Sequence, residues 1–133
     1  MSNEEARAAA AAAAGVDPNG PTFFDKIVSK EVPADVIYED DRCMAFRDIG
    51  PQGPVHFLVI PKDKDGLAGL SFMEERHKDI MGHLMYVASK VAAQEKLEKG
   101  YRVVINNGPE GSQSVYHLHV HVIGGRQMTW PPG

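Results

Sequence analysis

Tyr116-His117-Leu118-His119-Val120-His121-Val122-Ile123 reads as one extended strand. A β-strand sends successive side chains to opposite faces, so residues two apart share a face. His117, His119 and His121 therefore line one side. Leu118, Val120 and Val122 line the other, toward a core. Half of the chain's six histidines sit in this stretch. Three imidazoles on one face of a half-buried strand are costly as packing and useful as chemistry, because they bind metal, carry protons or attack an electrophile.

The residue types around the strand weigh those uses. A merely solvated strand face more often carries Thr, Lys or Glu. A structural zinc site usually takes four ligands with Cys among them. The single cysteine, Cys43, is far away in sequence, and no carboxylate at ligand spacing accompanies the histidines. A metal-binding module is therefore the lesser reading, and no metal ligand is assigned.

A chain of 133 residues fits one domain with a real core. Its net charge of −4 argues against DNA and other general polyanion partners, which call for a basic patch or stripe. One cysteine permits no internal disulfide and fits a reducing compartment, where Cys43 reads as a small buried hydrophobe. No apolar run reaches membrane-spanning length. The start, Met1-Ser2-Asn3-Glu4-Glu5, is acidic where a secretory signal needs positive charge. The expected residence is cytoplasmic, with the nucleus as a further location.

Working outward, residues 1–20 form an alanine-rich, low-complexity stretch, expected to be a flexible tail, and residues 21–133 form the domain. Thr22 opens a short helix to about Lys30, with Asp25 completing the cap and Phe24, Ile27 and Val28 as its apolar stripe. Strands are expected at residues 36–39, 43–47, 56–60, 101–105 and 115–123. Ser71-Phe72-Met73-Glu74 matches a capping box for a long helix ending at Gly100, with Ile80, Leu84, Val87, Ala88 and Val91 at helical spacing. The expected fold is α+β: a five-stranded antiparallel sheet with one long and one short helix, one face covered and the histidine face free.

Gly108-Pro109-Glu110-Gly111-Ser112-Gln113-Ser114 runs straight into the histidines. Loops of this composition bring backbone N–H groups close to an oxyanion such as phosphate, and Ser114 stands at the mouth of the strand. A neutral imidazole is a good nucleophile toward phosphorus, with neighbouring donors able to support the phosphoryl oxygens. No Walker-type Gly-Lys-Ser/Thr sequence is present.

His117-Leu118-His119-Val120-His121-Val122-Ile123 resembles the His-φ-His-φ-His-φ-φ signature of the histidine-triad (HIT) family of nucleotide hydrolases and transferases. Three further stretches are similar to its histidine triad nucleotide-binding (Hint) branch: Asp41-Arg42-Cys43-Met44-Ala45-Phe46-Arg47-Asp48-Ile49, His56-Phe57-Leu58-Val59-Ile60-Pro61-Lys62, and Gly124-Gly125-Arg126-Gln127-Met128-Thr129-Trp130-Pro131-Pro132-Gly133. The resemblance covers residues 22–133. Thr129 departs from the His common there in close relatives, and residues 63–68 form a more acidic loop.

The resemblance implies a purine nucleoside phosphoramidase. It would hydrolyse the P–N bond of adenosine or guanosine 5′-phosphoramidates, and acyl-adenylates, with no cofactor. It implies His119 as the nucleophile that carries the nucleotidyl group, His121 as an α-phosphate contact and His117 as the positioning member. His56 and Ser114 would serve the leaving group and proton relay. Asp48 would bind the ribose hydroxyls, Asn106 would lie near ribose and phosphate, and Ser112 and Gln113 would belong to the nucleotide loop. Phe24, Ile27, Phe46 and Ile49 would wall the purine. A homodimer with one continuous ten-stranded sheet is also implied, with Trp130 reaching toward the partner's site. The alternative is a non-catalytic nucleotide-sensing or scaffolding protein using the same pocket.

Overall fold

Strands β1 (Val36–Glu39), β2 (Cys43–Arg47), β3 (Val55–Pro61), β4 (Tyr101–Val104) and β5 (Val120–Gly124) form one sheet in the order β1-β2-β3-β5-β4, and every pairing is antiparallel. The computed structural model describes residues 3–133. Around the sheet stand helices α1 (Asn3–Ala14), α2 (Phe23–Val28) and α3 (Lys78–Gln94).

Alternation along the central strands sorts the core into two layers. Cys43, Ala45, Phe57, Val59, Leu118, Val120 and Val122 face α3, whose Leu84, Val87, Ala88 and Val91 are fully buried against them. Met44, Phe46, Leu58 and Ile60 face the other way and pack with Phe24 and Ile27 of α2. The histidine face is thus not free, as expected from sequence, but half roofed by α2. The apolar stripe of that short helix has to be buried somewhere, and the second sheet face is where it goes. Thr22 caps α2 as expected: its hydroxyl accepts from Phe24 N–H at 3.2 Å, and Asp25 accepts from Thr22 N–H at 2.6 Å.

Three other expectations change. The strand carrying the triad starts at Val120, so His117 lies in a bend and His119 in irregular chain ahead of it. There the backbone leaves the sheet, and Leu118 N–H donates instead to Leu67 C=O at 3.0 Å. The alternation nevertheless holds, because Leu118 stays fully buried in the α3-facing layer. The long helix starts at Lys78, not after Ser71. Ser71 is taken by Asn107, whose side chain both accepts from Ser71 N–H and donates to its hydroxyl. Glu74 and His77 cap a 3₁₀ turn instead, and α3 ends at Gln94, ahead of Gly100. Residues 3–14, expected as flexible tail, are helical. High alanine propensity, Glu4 and Glu5 at the positive end, docking against Leu70–Phe72 and an Arg7–Glu74 ion pair of 3.3 Å support a helix too short to stand alone.

The loop before the triad is tightly folded. A Cβ at Gly111 would stand 2.3 Å from the Asn107 carbonyl oxygen, so only glycine fits there.

Leu118 sits between two site histidines and is fully buried in the α3-facing core. Leu118→Ala is expected to cost about 2–5 kcal/mol in urea unfolding, the range for a cavity at a buried leucine. A cost within experimental error of zero would show that this segment is not held by its core face.

Candidate active site

The β3–β5 register assembles the site. His56 stands opposite Ile123 and His121 opposite Leu58, which makes the two histidines diagonal neighbours on one face. Their rings meet, His56 Nε2 to His121 Nδ1, at 2.9 Å. His119 follows, its ring centroid 5.0 Å from that of His121. Phe24 reaches over from α2 and meets His119 edge-on at 5.1 Å and His117 at 5.8 Å. Asp48, in the loop after β2, places Oδ2 at 3.5 Å from His56 Nε2 and 4.0 Å from His121 Nδ1.

Hydrogen bonds assign a proton to each ring. Gln52 N–H donates to His56 Nδ1 at 3.0 Å, so a neutral His56 carries its proton on Nε2 and donates it to His121 Nδ1. His121 then holds its own proton on Nε2. His119 Nδ1–H donates to the His117 carbonyl at 2.8 Å, which leaves the Nε2 lone pair of His119 uncommitted. His117 Nε2–H donates to the Pro61 carbonyl at 2.7 Å. Its Nδ1 is the one fully buried side-chain nitrogen or oxygen without a partner among the described residues.

Burial keeps these rings uncharged. It pushes His56, His117 and His119 below the ordinary imidazole value, against the pull of Asp48 on His56 and His119 and of the accepting carbonyls on His117 and His119. His121 falls furthest, to about 4, through burial and the neighbouring rings of His119 and His56. The arrangement therefore offers a neutral nucleophilic nitrogen on His119, an N–H on His121 and a carboxylate beside the His56–His121 pair.

The remaining residues named from sequence separate. Phe24, Ile27 and Phe46 are buried in the layer beneath α2. Ile49 is fully exposed and touches none of that apolar wall. Asn106 is half-buried just beyond β4, while Ser112 and Ser114 are exposed. Gln113 is buried, with its amide committed to the backbone: Oε1 accepts from Gly108 N–H, and Nε2 donates to the carbonyls of Ala68 and Val115. It braces the loop. Two contributors escaped the sequence reading. The backbone N–H of Gln52 sets the His56 tautomer, and the Pro61 carbonyl holds His117. Both act through main chain, which leaves no signature in residue type.

Residues 29–128 match the HIT domain. The chain belongs to the HIT family. It is 64% identical over 123 residues to adenylylsulfatase HINT1 of Arabidopsis thaliana, covering 92% of this chain and 84% of that one. It is 65% identical over 115 residues to a 14 kDa zinc-binding protein of Zea mays, covering 86% and 90%. Among solved structures, a HIT family hydrolase from Legionella pneumophila superposes with a TM-score of 0.81 at 45% identity, covering 85% of this chain and all of that one.

Zinc in a relative's name raises the question of whether the histidine face fits a metal. Asp48, His56 and His121 are close enough together. The tautomers oppose it. His56 Nδ1 is occupied in accepting the Gln52 N–H, so Nε2, the atom that faces the cluster, holds a proton where a metal needs a lone pair. The set does not fit a metal without breaking that bond.

The buried rings set a pH dependence. The unfolded chain takes up protons near the free value of 6.5, while the fold holds these histidines neutral, His121 down to about 4. Between those values the unfolded state binds more protons, so stability falls as pH falls. Calorimetric melting midpoints are expected to be level in this respect above about pH 7 and to drop on acidification through that window, less steeply in His121→Asn. Midpoints that hold steady down to the lower value would mean the rings are charged in the fold.

Proposed function

We propose that this protein hydrolyses purine nucleoside 5′-phosphoramidates, and acyl-adenylates, through a covalent nucleotidyl-His119 intermediate. The coarser statement, a nucleotide hydrolase of the HIT family, stands on the family and its named members. The observation that carries the finer one is the His119 ring: buried, neutral, anchored through Nδ1–H to the His117 carbonyl, with Nε2 free to attack.

In this reading the Nε2 lone pair forms a bond to the α-phosphorus as the P–N bond breaks, and the departing amine takes up a proton delivered from solvent through the Ser114 hydroxyl. The ring becomes cationic on attack, and the Nδ1–H···O=C bond to His117 strengthens as it does so. The His121 N–H supports the phosphoryl oxygen. Water then attacks phosphorus and gives up a proton to solvent as the bond between phosphorus and His119 breaks, which returns the ring to its neutral form and releases the nucleoside monophosphate. Asp48 binds the ribose hydroxyls and Ser114 the leaving group. The name of the Arabidopsis relative favours a second substrate for the same chemistry: in adenylyl sulfate the bond broken is P–O and the leaving group is sulfate.

A homodimer completes the proposal. β4 is an edge strand, and Tyr101 on it, Met85 and Tyr86 on α3, and Trp130 near the C-terminus are exposed large side chains. A second copy pairing along β4 would continue the sheet and cover them.

Adenosine 5′-phosphoramidate and adenylyl sulfate are to be assayed side by side for AMP release. Wild type is expected to turn over the phosphoramidate, and His119→Ala to lose about 10⁴-fold or more in kcat. An acid quench is expected to trap nucleotide on wild type only. An inactive wild type favours the nucleotide-sensing alternative, and a His119→Ala variant with full turnover removes the nucleophile. In sedimentation equilibrium the protein is expected at twice the chain mass; a single-chain mass counts against the dimer.

A further inference from the structure

On the opposite side of the sheet from the triad, a second cluster has no part in phosphoryl chemistry. The β1–β2 turn contributes Asp40, β2 contributes Cys43, and α3 contributes His83. Their ligand atoms all lie within 4.8 Å of one another. Asp40 Oδ1 accepts from Arg42 N–H and Cys43 N–H, both at 2.8 Å, which locks the carboxylate in place. Its other oxygen, Oδ2, faces His83 Nε2 at 2.7 Å, the Tyr38 hydroxyl at 2.9 Å and Cys43 Sγ at 3.6 Å.

Cys43 is wholly buried, and burial, with Asp40 beside it, pushes its thiol up to about 12. A nucleophilic role is therefore excluded. Partial burial raises the Asp40 carboxyl, but the Arg42 and Cys43 N–H groups, His83 and Tyr38 outweigh it and hold the group well below the usual carboxylate range. The Asp40 and His83 side chains each keep 21% of their surface exposed, so a solvent ion has a way in.

We propose that Asp40, Cys43 and His83 form a site for a borderline divalent cation of the zinc class, with water as the fourth ligand. The donor chemistry fits, because thiolate, imidazole and carboxylate are the three zinc ligand types. The two spacings that meet at Asp40 Oδ2 fit as well. Zinc bonds of about 2.0 Å to N or O and about 2.3 Å to S put tetrahedral donors roughly 3.3–3.5 Å apart. Cys43 Sγ and Asp40 Oδ2 already stand at 3.6 Å, and His83 has to swing back by about half an ångström from its present 2.7 Å. His83 makes its bond through Nε2 alone, so its proton can move to Nδ1 and free the Nε2 lone pair, the freedom that His56 lacks. On binding, the Cys43 thiol proton leaves to solvent and the cation takes its place. The bound ion would tie the β1–β2 turn to α3.

The full chain is to be titrated with Co²⁺ and followed by absorbance and by equilibrium dialysis, with Zn²⁺ then added. The expected result is one cation per chain, tetrahedral visible bands, a near-ultraviolet thiolate-to-cobalt charge-transfer band, and bleaching of both by zinc. His83→Gln, which keeps a donor to Asp40 on a half-exposed helix position, is expected to lose the charge-transfer band and weaken binding by at least about tenfold. Cys43→Ser tests the same point from the core, with circular dichroism to verify its fold. His121→Asn is expected to keep the band and the affinity. A wild type that saturates with cobalt and shows no thiolate band overturns the proposal. So does binding that survives His83→Gln and disappears in His121→Asn, or a wild type that takes up no cobalt.

Discussion

Leu118, Val120 and Val122 are completely buried in the layer against α3, and an extended chain alternates its faces. Those two facts leave His117, His119 and His121 only the opposite face, where α2 and β3 wait with Phe24, Leu58 and His56. A slip of one residue would put three imidazoles into an aliphatic core and three aliphatic side chains into the site. The hydrophobic layer is therefore what aims the chemistry, although none of its members touches it. The departure of the backbone from the sheet at residues 115–119 does not weaken this control, because the Leu118 N–H bond to Leu67 replaces the missing ladder.

Once aimed, the rings are ordered by main-chain groups. Gln52 N–H fixes His56, His56 fixes His121, the His117 carbonyl fixes His119, and the Pro61 carbonyl fixes His117. Each bond selects a tautomer, and burial keeps each ring neutral. Preorganised main-chain dipoles have little reorganising to do when charge develops on a ring, and in a partly desolvated site they act more strongly than in water. Asp48 supplies the nearby negative charge beside His56 and His121.

How much of this could be read from residue types follows from the kind of interaction involved. Strand alternation, the Thr22 cap and the α3 stripe are local patterns, and all three appear in the structure at or near the expected residues. Ser71-Phe72-Met73-Glu74 misled because a distant residue, Asn107, claims Ser71, and nothing in a local window announces that partner. The alanine run at residues 8–14 misled for a related reason: its helix depends on docking against a turn some sixty residues away in sequence, where tertiary packing supplies what length does not. Gln113 drew attention through its loop, while its amide turned out to be satisfied by three backbone groups. Gln52 and Pro61 contribute only peptide atoms, which every residue has.

The sheet thus separates two kinds of polar cluster by the way their lone pairs are arranged. On the α2 side, backbone donors and acceptors commit ring nitrogens one by one until His119 Nε2 is left available, an arrangement suited to attack on phosphorus and poorly suited to a metal. On the α3 side, three different side-chain donors converge on a single carboxylate oxygen, and the histidine among them is held through one nitrogen only. A metal needs several convergent lone pairs, whereas a nucleophile needs one that nothing else has taken. Two such clusters can therefore coexist on one fold without sharing a histidine.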